Sequence, residues 1–159
     1  MRCPSQSTRW ARRIVGVLTI AAVLTSLGSA PALASTYRSR MLRMFNAARV
    51  NHDLKPVKLN LRLSGDATAH TRKMINKDRL AHVSNLKDVL DPYEWEIGGA
   101  IVGCGSSLAA IHKAFMQSAV HHDIILVPGA RRVGIGVIRT DGDSSCGEDA
   151  FWVTAIFYG

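Results

Sequence analysis

Apolar positions in the chain fall into two rhythms, first helical and then alternating. Met41, Leu42, Phe45, Ala48 and Arg49 recur at helical spacing, with Met44 alongside. They predict a first helix over Tyr37 to Asn51, ending at Asn51-His52-Asp53. Leu54 to Val57 reads as extended. Asn60 is a suitable N-cap for a second helix. Leu63, Ala67, His70 and Met74 form its apolar face, and it ends near Lys77. Gly65 inside it costs about 1 kcal/mol relative to Ala. His70 lies on that apolar face and is expected to be packed, with one ring nitrogen hydrogen-bonded. Residues 78–93 read as loop, with Asp91-Pro92 as a breaker. Ser106 or Ser107 caps a third helix whose buried stripe is Leu108, Ile111 and Phe115. His112 flanks that stripe and is expected to face solvent. Ser118 to Leu126 ends or follows this helix.

The rhythm then changes. Val133, Ile135 and Val137 alternate with Gly134, Gly136 and Ile138, and a turn follows around Asp141-Gly142-Asp143. Phe151 to Tyr158 is almost continuously apolar, as expected of a strand covered on both faces. Gly134 and Gly136 leave one face of their strand bare, so a helix can approach closely there. Two or three helices followed by a short antiparallel sheet predict a layered α+β domain.

The first residues read differently. Arg2, Arg9, Arg12 and Arg13 precede an uncharged apolar stretch, Ile14 to Leu27. Ala32-Leu33-Ala34 before Ser35 fits a small-x-small cleavage site. The expected division is a cleavable secretory signal at 1–34 and one domain at 35–159. The apolar stretch is shorter than the roughly 20 residues of a membrane-spanning helix, so no stable span is expected after cleavage. An uncleaved anchor is the alternative. Ser35 stands where a lipoprotein needs Cys, and Cys3 leaves with the signal.

Removing residues 1–34 takes four of the 20 Lys and Arg and no acid, leaving 16 basic against 12 acidic residues, a balance of +4. That balance suits solubility and gives no argument for nucleic acid. Arg131-Arg132 reads as a solvated turn. Cys104 and Cys146 remain; in an exported chain an even pair suggests one disulfide, with two free thiols as the alternative. No Cys-x-x-Cys spacing supports a redox or zinc-thiolate site.

Several runs carry a family likeness. They are Phe45-Asn46-Ala47-Ala48-Arg49, Leu80-Ala81-His82, and Trp95-Glu96-Ile97-Gly98-Gly99-Ala100-Ile101. They continue with Phe115 to Leu126, Val133 to Val137, and the closing Trp152 to Phe157. In order and spacing they resemble the CAP superfamily of cysteine-rich secretory, antigen-5 and pathogenesis-related proteins. The likeness is greatest to its compact bacterial secreted members, and it spans about residues 41–158. It implies a three-layer α-β-α sandwich. It also implies a cleft where two histidines, here His82 and His121, meet the Glu of a Gly-Glu-Asn-Ile run. This chain reads Gly98-Gly99-Ala100-Ile101, so Gly99 replaces the carboxylate. Ala119 replaces Pro, His122 replaces Arg and Ile124 replaces Asn, while Ser118, His121, Ile125 and Leu126 are kept.

The expected cleft residues are therefore His82, His121, Glu96 and Ser118. His82 and His121 are the candidate metal ligands, since imidazole and carboxylate suit zinc. Without the Glu, no cofactor is expected, and zinc is the one ion the pattern admits. Glu96 reaches the cleft only if its strand is shifted, and Glu94 is further away. Ser118 lacks a Gly-x-Ser-x-Gly elbow and reads as a helix end, so no catalytic residue is assigned. The resemblance implies a secreted binding module for a small hydrophobic ligand, lipid or sterol, or for a protein partner. A metal-dependent hydrolase using His82 and His121 is one alternative. A cell-envelope structural protein with a vestigial site is the other.

Overall fold

The structure, a computed structural model, describes residues 30–159. The basic segment and the apolar stretch 14–27 lie outside the described residues. The elements run α1 (Ala30–Val50), β1 (Lys58–Leu59), α2 (Leu61–Asn76), α3 (Leu86–Leu90) and β2 (Gly98–Gly105). They continue with α4 (Leu108–Gln117), α5 (Ala119–Ile125), β3 (Arg132–Arg139) and β4 (Phe151–Tyr158). The sheet order is β1-β3-β4-β2.

Three layers result, as expected. Met41 and Phe45 of α1, Leu108, Ile111 and Phe115 of α4, and Ile125 of α5 pack on one sheet face. Val133, Ile135 and Val137 of β3 and Val153, Ala155 and Phe157 of β4 meet them there. The other face receives α2 and α3 through Leu63, Ala67 and Leu90, against Ile156 and Tyr158. Met74, Val102, Ala150 and Trp152 extend this second layer towards the disulfide. Both faces of β4 are therefore covered, which accounts for its unbroken apolar run.

Gly134 and Gly136 point at α2. A Cβ on Gly136 would lie 2.5 Å from the carbonyl carbon and oxygen of Ala67, and one on Gly134 would lie 2.6 Å from the backbone of Leu63. The helix sits close enough that Ser64 Oγ accepts a hydrogen bond from the backbone N–H of Ile135, 3.0 Å away. Arg38 Nε donates to the carbonyl of Ile135 from the other layer. Strand β1 is only two residues long, so these two side chains satisfy backbone groups of β3 that a longer partner would have taken.

Four expectations need correction. The sheet is mixed, because β1 runs parallel to β3 with Lys58 opposite Arg132. Strand β2, supposed only in placing Glu96, has no bounds legible in the sequence, since Gly98, Gly99, Gly103 and Gly105 erase the apolar alternation that marks a strand. It nonetheless pairs with β4 along its whole length, from Gly98↔Tyr158 to Gly105↔Phe151. A short helix, α3, interrupts the segment read as loop; its one fully buried residue is Leu90. His112 is half-buried against Phe45, with Nε2 shielded from solvent, because α1 closes over that flank of α4. Helix α1 also starts at Ala30, ahead of Tyr37, and crosses the 34/35 boundary.

Other expectations hold. Asn60 caps α2, its side chain accepting from the backbone N–H of Leu63. Ser107 caps α4 in the same way through Ala110 N–H. His70 is packed, with Nε2 2.8 Å from the Ala81 carbonyl. Cys104 and Cys146 form a disulfide across 42 residues, tying the end of β2 to the β3–β4 connection.

Close contact between α2 and β3 predicts opposite outcomes for two glycine substitutions. Gly136→Ala should destabilise by about 3 kcal/mol, since only backbone lies in the path of the new methyl. Gly65→Ala, with nothing within 4 Å, should stabilise by about 0.5–1 kcal/mol. Chemical denaturation of both variants checks the contrast.

Candidate functional site

Strand β2 is one edge of the sheet, with α3 against it on one side and α4 and α5 on the other. His82 comes from the α2–α3 layer and His121 from α5, so their meeting must pass around this edge. They do meet, with ring centres 6.1 Å apart and planes tilted by 38°. Each ring has a local cause for its position. The His70 ring donates from Nε2 to the Ala81 carbonyl, and that 2.8 Å bond fixes the backbone just before His82. His121 leans edge-on against Phe115, with centres 5.2 Å apart.

Ser118 sets the angle between α4 and α5. Its φ and ψ of −92° and 117° are extended, which breaks the helix for one residue. Its N–H donates to the Ala114 and Phe115 carbonyls, and its own carbonyl accepts from His122 N–H at 2.8 Å. The Ser118 side chain makes no capping hydrogen bond. This is the geometry of a helix junction.

Glu96 is not drawn into the histidine pair. It precedes β2 in an exposed loop, and its N–H donates to the Gly159 carbonyl at 2.8 Å. No hydrogen bond or ion pair joins it to His82 or His121 among the described residues. Glu94 lines a different cavity, beside Tyr93 and Tyr158.

The space beside Gly99 is filled. A Cβ on Gly99 would lie 2.8 Å from Cγ2 and 3.1 Å from Cγ1 of Ile124. Two departures from the family pattern, 25 positions apart in sequence, are therefore in contact. The side chain of Ile124 occupies the space into which a residue at 99 would project. Beside it lies a cavity of about 170 Å³ lined largely by apolar groups, among them Ile97, Ile124, Val127 and Phe157, with Asp123 its one acid.

The electrostatics also disfavour a cation. His82 borders a second hollow, of about 190 Å³, that is shared with Lys73, Lys77 and Arg79. Like charges there oppose a metal ion. Among the described residues, no three or more His, Cys, Asp or Glu side chains gather as a metal set. Burial lowers the pKa of His121 below the ordinary histidine value, and repulsion from His82 lowers it further.

Two features escaped the sequence reading. His122 forms a contact with Asp123 at 3.2 Å and packs edge-on against His52, with centres 5.7 Å apart. Arg49 is fully buried and bonds only to main-chain carbonyls: Nε to Lys55, Nη1 to Ile125 and Val127, and Nη2 to Ala130. The Asn-x-x-Arg spacing pointed to this residue but not to its task. Asn46, in the same motif, exchanges two hydrogen bonds with the backbone of Val57.

The His121 shift has a definite sign. The native state resists protonation, so the unfolded chain binds more protons below its own pKa of about 6.5. The stability tied to neutral His121 is complete above that pH and is lost as pH falls from there through the lower native value. In an NMR titration, His121 should titrate below the ordinary value. His82→Gln should raise its midpoint only in part, because burial is the larger cause. An unchanged midpoint would contradict the repulsion.

Comparison with known proteins agrees with this fold. The sequence pattern of the Cysteine-rich secretory protein family, CAP, matches residues 42–157. The Bacillus subtilis protein YkwD is 27% identical over 119 residues, covering 70% of this chain and 46% of YkwD. This chain thus spans about half the length of that relative. An extracellular Bacillus anthracis protein containing an SCP domain superposes with a TM-score of 0.64 at 18% identity, covering 79% of this chain and 41% of that one. A Staphylococcus aureus cysteine-rich secretory protein gives 0.60 at 17%, covering 79% and 38%. An outer surface protein of Borrelia burgdorferi gives 0.61 at 11%, covering 76% and 90%.

Proposed function

Because this chain belongs to the cysteine-rich secretory protein family, CAP, we propose that it is an exported binding module whose cleft takes a small apolar group and performs no chemistry of its own. The observation that carries this reading is the contact between Gly99 and Ile124. It puts a hydrocarbon side chain where the family pattern has a carboxylate. No carboxylate then stands at position 99 to help the histidines hold a divalent ion, and the hollow beside Ile124 is mostly apolar, with Asp123 its one acid. Two imidazoles alone fall short of the three protein ligands that a catalytic zinc takes.

A cavity of about 170 Å³ is near the size that admits one benzene-sized group. That favours a small apolar molecule, or the end of a longer one, over a whole sterol. Export is supported by the basic-then-apolar start of the chain and its Ala-Leu-Ala site before Ser35, so that the working domain is residues 35–159. The disulfide suits an oxidising compartment. Two structural neighbours are described as an extracellular and an outer surface protein, which points the same way.

Mass spectrometry of organic extracts of the purified protein tests the reading, followed by titration with the compounds recovered. A carried apolar ligand is expected, and Val127→Phe, which fills the cavity, should weaken its binding at least tenfold. Zinc calorimetry should give no saturable signal. A micromolar zinc site lost in His121→Ala would contradict the proposal and favour a metal-dependent activity.

A further inference from the structure

A larger cavity of about 950 Å³ lies away from the histidine pair, at the end of the sheet where β3 begins and β4 ends. Lys55, Lys58, Arg131 and Arg132 line it, with Tyr93 and the single acid Glu94 on its wall. All four cations are exposed, and none forms an ion pair among the described residues.

Their placement works against the fold. Lys58 and Arg132 stand directly opposite each other on the parallel strands β1 and β3. Arg131 is held beside them, since Lys58 N–H donates to its carbonyl at 3.0 Å. Like charges directly opposite in a sheet are destabilising. No carboxylate relieves them: Glu94 is the groove's only acid and is in neither ion pair of the described residues. The buried guanidinium of Arg49 adds a further positive charge behind the groove. It bonds to the carbonyls of Lys55 and Ala130, both in the cavity lining, and so fixes the wall.

We propose that this groove binds an extended chain carrying several phosphate groups. Unrelieved like charges at the mouth of a concave site mark a local rule broken for function. Lys58 and Arg132 stand on neighbouring strands about 5 Å apart, close enough for an ammonium and a guanidinium to reach one anion. Phosphate has enough acceptor oxygens to take donors from both at once. Arg131 and Lys55 extend the positive lining beyond a single phosphate, so a chain is favoured over an isolated ion. The concave shape suits a chain rather than a flat membrane surface. This site adjoins the apolar cavity at Tyr158 but does not depend on the function proposed for it.

The test is calorimetric titration of the full domain with a short linear polyphosphate over a range of salt. Saturable binding is expected, with a log–log salt slope of about −2 to −3, as for three or four phosphate contacts. Lys58→Ser and Arg132→Ser should each weaken binding several-fold and reduce the slope by about one. The same variants should melt at a higher temperature than the parent in low salt, because the repulsion is gone. Lys113→Ser, on exposed α4 and outside the groove, should leave binding unchanged. The proposal is overturned by absent binding, or by affinity unchanged in Lys58→Ser and Arg132→Ser. Equal affinity for inorganic phosphate, duplex DNA or anionic phospholipid vesicles would also overturn it. Lower melting temperatures in both variants would show that the cations serve the fold instead.

Discussion

Arg49 carries a full positive charge in the interior and neutralises it with no carboxylate. Four hydrogen bonds to main-chain carbonyls hold it, from 2.7 to 3.2 Å. Those carbonyls come from the connection after α1 and from the chain leaving α5. The partial negative charge at the C-terminal end of α5 suits a cation there. Bonds from charged donors contribute about 1.5–3 kcal/mol each, and losing the guanidinium would orphan several buried acceptors together. Burial pushes its pKa down from the arginine value, yet a guanidinium remains protonated at any physiological pH. One side chain therefore fixes where α5 ends, and α5 in turn presents His121 and Ile124 to the cleft.

A scaffold held in this way does not depend on the polar residues of the cleft. The layers are set by α2 lying on Gly134 and Gly136, by Arg49, and by the disulfide at the far end of β2. None of these involves Gly99. Ile124 fills the space into which a side chain at 99 would project. The histidines still meet, because Phe115 and the Ala81 backbone position them independently of any ion. The pair thus keeps its place in the fold, and His82 borders a basic hollow.

What was legible in the sequence follows from where the physics is local. Helical spacing located the first, second and fourth helices, and a bare face at Gly134 and Gly136 announced a close helix. The bounds of strand β2 were invisible because four glycines remove the side chains that alternation needs. Its pairing is imposed by β4, far along the chain. His112 was misplaced because its burial comes from α1 packing across α4, a tertiary contact with no periodic signature. At the cleft, the sequence named Gly99 and Ile124 separately as departures. Only the fold shows that they touch, since positions so far apart carry no spacing rule.

The account rests on that contact, and a double-mutant cycle in stability and zinc affinity tests it most directly. Gly99→Glu alone should destabilise strongly, because its Cβ meets Ile124 and its charge enters an apolar pocket. Ile124→Asn in the same chain should recover more than about 1 kcal/mol of that loss, a coupling expected only of residues in contact. The double variant should also gain a zinc site that requires His82 and His121. Additive stabilities, with no zinc bound by the double variant, would contradict the claim that Ile124 fills the carboxylate's place.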